Sequence, residues 1–212
     1  MFRRLLVLLT LGLVAGHGMA AAEDLAMVTA VKGKASRVAD NVPRALEPFE
    51  RLKQGDMLLL EGDAGVRVIF FGSRREESWQ GDGRIEIGGE QGKGTGLAEP
   101  QVSLLPELMA RQIAKTPSAG DTMRPGPART RNIESAESRL AKLDSDYGRL
   151  RKEAAADDIN PEIFLLAGLF EMREFGRLEQ TLKDLSAARP GDMEVAVLNS
   201  LYKRAIGQKQ PR

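Results

Sequence analysis

Downstream of its first 22 residues this chain contains neither histidine nor cysteine. No cysteine occurs anywhere in the 212 residues, and the single histidine is His17. These absences exclude Ser-His-Asp and Cys-His nucleophilic catalysis. They also exclude zinc sites built on imidazole or thiolate and every disulfide. Aromatic residues make up 5% of the chain, with one tryptophan, too few for a stacking platform along a single-stranded nucleic acid. Lysine and arginine number 31 against 30 acidic residues. No basic excess draws the chain to phosphate backbones, so nucleic acid is not an expected partner. Asp56 and Asp63 sit in no dense oxygen-ligand loop and read as turn residues. No metal and no cofactor is expected.

The N-terminus has the three parts of a secretory signal. Met1-Phe2-Arg3-Arg4 is basic, an apolar run follows from Leu5 to Gly16, and Ala20-Ala21-Ala22 supplies the small residues of a cleavage site. Residues 1–22 are therefore expected to be removed, with no membrane insertion after cleavage. The apolar run is shorter than the ~20 residues of a spanning helix. The mature part has 190 residues and a net charge of −1.

Residues 23–97 carry a β pattern. Met27–Val31 and Ala35–Val38 read as short strands around a turn at Gly33. Gly55-Asp56 and Gly62-Asp63 bracket Met57–Leu60, since both residue types tolerate positive φ. Val66, Val68 and Phe70 alternate on one face of the next strand. Ile69 and Phe71 are apolar as well, so that strand is expected to be covered on both sides. Arg84–Ile87 alternates at period two. Short strands with glycine turns imply a sandwich or barrel-like all-β domain. Residues 88–96, GGEQGKGTG, read as a flexible exit loop. They fail the phosphate-loop spacing, because Ile87 and Gly94 stand where glycine and Ser/Thr are required.

Residues 98–131 are expected to hold a short helix, Pro106–Lys115, and a proline-glycine linker over 116–130. The period then becomes helical from 132 to 207. Leu140, Leu143, Tyr147 and Leu150 share one helix face. Asn160-Pro161-Glu162 reads as a helix start with Asn160 as N-cap. Breaks near 174–176 and at Arg189-Pro190-Gly191, with Asp192 as a further cap, give four antiparallel helices. The fold class is thus α+β multidomain, with two independently folded parts.

Two resemblances extend this reading. "VTAVKGKASRV", "RLKQGDMLLLEGDAGVRVIFFGS" and "GRIEIG" resemble the FecR-like periplasmic domain, although "FGSRREESW" departs from that family's turn. Leu166-Ala167, Phe170, Phe175, Leu178, Leu182, Leu185 and Pro190 resemble a degenerate tetratricopeptide repeat. The first resemblance implies a β-rich, non-catalytic envelope domain tied to signalling or surface-complex assembly. The second implies helical hairpins whose first helices, Pro161–Arg173 and Asp192–Ile206, line a concave groove.

Candidate binding residues follow. Phe164, Gly168, Glu171, Met172, Ser200, Lys203 and Arg204 are expected in the groove, where an apolar spot flanked by charges holds a peptide. The competing reading is that the short array packs on the β-domain and buries that groove within the chain. In "GVRVIFFGSRREESWQGDGRIEIGG" the charges of Arg74–Glu77 are expected on a solvated face. Trp79 beside Arg75 is either a core residue or a ligand platform. The expected function is a periplasmic, non-catalytic adaptor that binds another envelope protein. The alternative is a carbohydrate- or peptidoglycan-binding module using the β-domain, with cell-wall glycan as partner.

Overall fold

A computed structural model describes residues 23–39, 42–118 and 135–209. The signal segment, most of the expected linker and the first residues of the expected helical part (119–134) lie outside the described residues. Eight antiparallel strands come first: β1 (Ala26–Ala39), β2 (Val42–Ala45), β3 (Arg51–Leu52), β4 (Met57–Phe70), β5 (Arg75–Gln80), β6 (Gly83–Ile87), β7 (Gly92–Thr95) and β8 (Gln101–Leu104). Five helices follow: α1 (Glu107–Ile113), α2 (Ala136–Glu153), α3 (Asn160–Met172), α4 (Phe175–Ala188) and α5 (Met193–Lys209). The chain is α+β, and its sheet is not closed into a barrel. The order β2-β1-β4-β5-β8 leaves β2 and β8 at opposite edges.

Two long strands organise the sheet. β1 and β4 pair along most of their lengths, with register shifts between Val28 and Ala30 and between Lys32 and Lys34. The sequence suggests a turn at Gly33 and another at Gly62-Asp63, but the backbone runs on through both. Gly33 and Gly62 take φ values of 72° and 68° within continuous strands. They serve as bulges, where one residue bends a strand without ending it. A Cβ on Gly33 would lie 3.1 Å from the Ala64 Cα, so the two strands come closest there. Beyond the bend, β4 changes partners: Met57–Leu60 pair with β6, and Gly65–Ile69 with β5.

This bend turns one half of the sheet over the other. Val66, Val68, Phe70 and Trp79 from one half meet Leu58, Leu60, Ile85 and Ile87 from the other in a shared core. The residues between them face the helices. Met27, Ile69 and Phe49 join a second core with Met109, Ile113, Ile163, Phe164, Leu198 and Tyr202, and Phe71 packs against it. β4 is therefore covered on both sides, as its apolar run implies.

α3 is buried on nearly every side, from Asn160 to Phe170, with only Glu162 partly open. A helix apolar all round needs neighbours all round, and α1, α2 and α4 supply them. It ends at Arg173, whose left-handed φ of 63° lets the chain turn at once into α4. The cap of α3 differs from the sequence reading. Ile159 holds the N-cap position and Asn160 is already helical, leaving its side-chain amide free for the sheet. For α5 the reading agrees: Asp192 Oδ1 accepts from the Val195 N–H at 3.1 Å.

The start of the expected linker is not solvent-exposed chain. Thr116 and Pro117 are buried. Arg51 Nη2 donates to the carbonyls of Ala114 and Thr116 at 2.9 and 3.0 Å, fastening the end of α1 to β3.

Candidate functional site

The charged stretch around the tryptophan has an inner and an outer set of residues. β5 places Arg75, Glu77 and Trp79 on its inner face and Glu76 on the face toward the helices. Glu77 is fully buried. Its carboxylate accepts from Arg75 Nε at 3.0 Å, Trp79 Nε1 at 3.1 Å and the Gly92 N–H at 3.0 Å. The expected solvated face is thus corrected for Glu77: three donors replace water, which lets a carboxylate sit inside the sheet. Glu76 and Glu77 point to opposite faces and cannot flank one scissile bond.

Trp79 is 4% exposed and lies against β7. A Cβ at Gly94 would come 2.5 Å from its Cζ3, and one at Gly92 would lie 3.3 Å from Cζ2. The stretch read as a flexible glycine loop is therefore partly the strand β7. Two of its glycines are the bare surface on which the indole rests. With the ring covered and Arg75 turned to Glu77, the Trp79–Arg75 ligand platform has no open face.

The expected groove residues also separate. Phe164 is 2% exposed and belongs to the core shared with the sheet. Gly168 faces α2, where a Cβ would come 2.5 Å from Leu143 Cδ1. Glu171 accepts from Lys115 Nζ at 2.6 Å and from Gln112 Nε2 at 3.4 Å. Met172 packs half-buried against the same core. α1 thus lies on α3, and this side of the helical array is covered within the chain. Tyr202 is fully buried too, with its phenol toward the Thr116 hydroxyl. Neither oxygen has an ordinary hydrogen-bond partner among the described residues. Burial pushes the Tyr202 pKa well up, against the opposing contact with Thr116.

Ser200 and Arg204 remain together at an open surface. They line a cleft of about 370 Å³ with Met193, Ala196, Val197 and Leu201 on α5, and with Glu47 and Pro48 in the turn between β2 and β3. Lys203 is exposed beside it. Lys203 and Arg204 form no ion pair among the described residues. Met193 is 61% exposed. Next to it, burial pushes the Glu194 carboxyl above the ordinary glutamate range. Asp192 adds to that push, and the Val31 N–H opposes it. A second apolar surface lies at the far edge of the sheet, where Val102 and Leu104 on β8 are 44% and 67% exposed. Neither surface stands out from periodicity read for core positions alone. The spacing 193, 196, 197, 200, 201, 204 is nevertheless a second helical stripe, opposite Val195, Leu198 and Tyr202.

No protein-family profile, curated protein or solved structure matches the chain.

Proposed function

We propose that this chain is a non-catalytic, exported protein–protein interaction adaptor of the bacterial envelope, built from a FecR-like β-domain and tetratricopeptide-like hairpins. The observation that supports it is the placement of two uncovered apolar surfaces at opposite edges of one sheet. The α5 cleft lies beside the β2–β3 turn. The Val102–Leu104 ledge lies on β8, at the other end of the strand order. An adaptor must hold two bodies at once, and exposed apolar patches rimmed by charge are where such bodies dock. The side of the array expected to bind peptide is taken by α1, which moves the binding role to these two surfaces.

The test is capture from envelope extract by the purified protein, beside a Val102→Ser/Leu104→Ser variant and a Met193→Ser/Arg204→Ser variant. Each variant is expected to lose a different interaction while keeping its thermal midpoint. Unchanged capture by both would overturn the adaptor reading. Retention on purified cell wall instead would favour the glycan-binding alternative.

A further inference from the structure

The cleft on α5 can be assigned an occupant. We propose that it is a homodimer surface, filled by α5 of a second copy lying antiparallel to the first. This rests on the reading of the cleft as a protein-docking surface.

Three features of α5 carry the assignment. The first is where the stripe lies. At about 100° per residue, Met193, Val197, Ser200 and Arg204 fall within one narrow arc of the helix. Val195, Leu198, Tyr202 and Ile206 fall on the opposite arc and are buried in the core. On that second face Met193 is 61% exposed and Ala196 is exposed, Val197 is half-buried, and Leu201 is buried as the floor of the cleft, so Met193, Ala196 and the edge of Val197 are the apolar surface still to cover.

The second feature is spacing. The stripe reads 193, 196, 197, 200, 201, 204, with intervals of three, one, three, one and three residues. That series is the same in both directions. A two-fold axis midway along it sets Met193 of one copy opposite Arg204 of the other. It sets Ala196 beside Ser200. These pairs fall on matching sides of the two helices, as a self-complementary isologous contact requires. Ala196 and Ser200 are small and let the axes approach closely.

The third feature is charge. The N-terminal end of α5 carries Asp192 and Glu194, and its C-terminal end carries Lys203 and Arg204. An antiparallel pair lays each acidic end over a basic one, and Lys203 comes to the same side of the seam as Asp192 of the second copy. The helix dipoles oppose each other favourably in the same arrangement. A parallel pair would stack acid on acid and base on base.

The absence of cysteine makes the register testable by cross-linking. Ser200 lies near the proposed axis, so Ser200→Cys is expected to join to itself under mild oxidation. Met193→Cys should not, because its two copies stand roughly 16 Å apart along the helices at ~1.5 Å rise per residue. A mixture of Met193→Cys and Arg204→Cys proteins should cross-link. By sedimentation equilibrium the purified protein is expected to form a reversible dimer in the micromolar range, as suits a small interface. Lys203→Glu/Arg204→Glu, which places acid against acid at both ends, should weaken it at least tenfold with unchanged far-UV circular dichroism.

A monomer at millimolar concentration would overturn the proposal. So would self-cross-linking of Met193→Cys without that of Ser200→Cys, or a dimer indifferent to the charge reversal. If the protein is a monomer and the Met193→Ser/Arg204→Ser variant still loses an envelope partner, the dimer is refuted and the adaptor reading stands. If the dimer forms and neither variant loses a partner, the adaptor reading falls and the dimer stands.

Discussion

Asn160 donates its side-chain amide to Glu76 Oε1 at 2.8 Å, tying the first turn of α3 to the start of β5 across 84 residues of sequence. Glu76 also accepts from Ser103 Oγ at 3.1 Å, so the bond continues to the edge strand β8. A buried amide would otherwise lack a partner, and a hydrogen bond to a charged group is worth about 1.5–3 kcal/mol. The bond sits beside the core that Met27, Phe49 and Ile69 share with the helices.

Asn160→Ala is therefore expected to lower stability by about 2 kcal/mol. In urea, Trp79 fluorescence reports the sheet and circular dichroism at 222 nm reports the helices. The two transitions should coincide in the wild type. Separate midpoints would mean that the core at this boundary does not couple the two parts.

The buried carboxylate inside the sheet gives a second expectation. Glu77→Ala leaves the Trp79 indole N–H and the Gly92 N–H without an acceptor, and frees the Arg75 guanidinium. Removing one partner from a buried ionic group costs about 3–5 kcal/mol. Chemical denaturation should show a loss of that order, with the tryptophan emission shifted to the red. A loss under 1 kcal/mol, in the range of exposed pairs, would show that water reaches Glu77.

How much was legible in the sequence depended on whether a residue's partner was near in the chain. The helix breaks at Gly191 and near Glu174, the Asp192 cap and the two-sided burial of β4 follow from local pattern, and the structure has them. Gly33 and Gly62 were legible as unusual backbone but not as bulges. A turn and a bulge both ask for positive φ, and only the opposite strand decides between them. Glu77 reads as a surface charge because its acceptor role depends on Trp79 and on Gly92, 15 residues away. The groove of the helical array was implied by the tetratricopeptide resemblance, and its residues separate in the structure. That α1 would lie over Glu171 was not legible, since nothing local to α3 or α5 encodes the arrival of Lys115 there.

Glycine substitutions separate rigid from yielding contacts. Gly94→Ala puts a Cβ 2.5 Å from the ring of Trp79, which is held by its bond to Glu77 and by the sheet. An over-packed site of this kind loses about 1–3 kcal/mol. Gly168→Ala meets the end of the Leu143 side chain at the same 2.5 Å. That leucine can rotate, and alanine in a helix gains about 1 kcal/mol over glycine. Thermal melts should show a clear loss for Gly94→Ala and a small change for Gly168→Ala. The reverse order would mean that β7 moves more easily than α2.

Acid titration should expose the carboxylates at the start of α5. Burial raises the Glu194 pKa, first among its causes, and Asp192 raises it further. A carboxyl whose folded pKa lies above its unfolded value holds its proton more tightly when folded. Its contribution is complete below the unfolded value of about 4.3 and is lost as pH rises through the folded value. Asp192 works in the opposite sense. Burial opposes its ionised form, but its bonds to Glu194, the Val195 N–H and Arg189 outweigh that and lower its pKa. Glu194→Gln should therefore remove a fall in stability that begins near pH 4.3 and runs upward. Urea midpoints measured across pH 4–7 check this, and parallel curves for wild type and variant would exclude the role of Glu194.

The last expectation concerns α1, the element that closes the helical array. Its seven residues are too few to be helical alone. Tertiary contacts hold it, and they come from both sides. Met109 and Ile113 enter the shared core, Lys115 pairs with Glu171 on α3, and Arg51 on β3 donates to the carbonyls of Ala114 and Thr116. Those carbonyls terminate a helix, and a cation there is favoured by the dipole as well as by the hydrogen bonds. The Lys115–Glu171 pair is substantially exposed, so Lys115→Ala should cost less than about 1 kcal/mol. Arg51→Ala breaks two charge-assisted bonds at a half-buried site and should cost about 2–3 kcal/mol. Hydrogen exchange should then speed up over Glu107–Thr116 ahead of α3 and α4, because only α1 loses its fastening to the sheet. Equal acceleration in α3 would mean that α1 is integral to the array and not a cover laid over it.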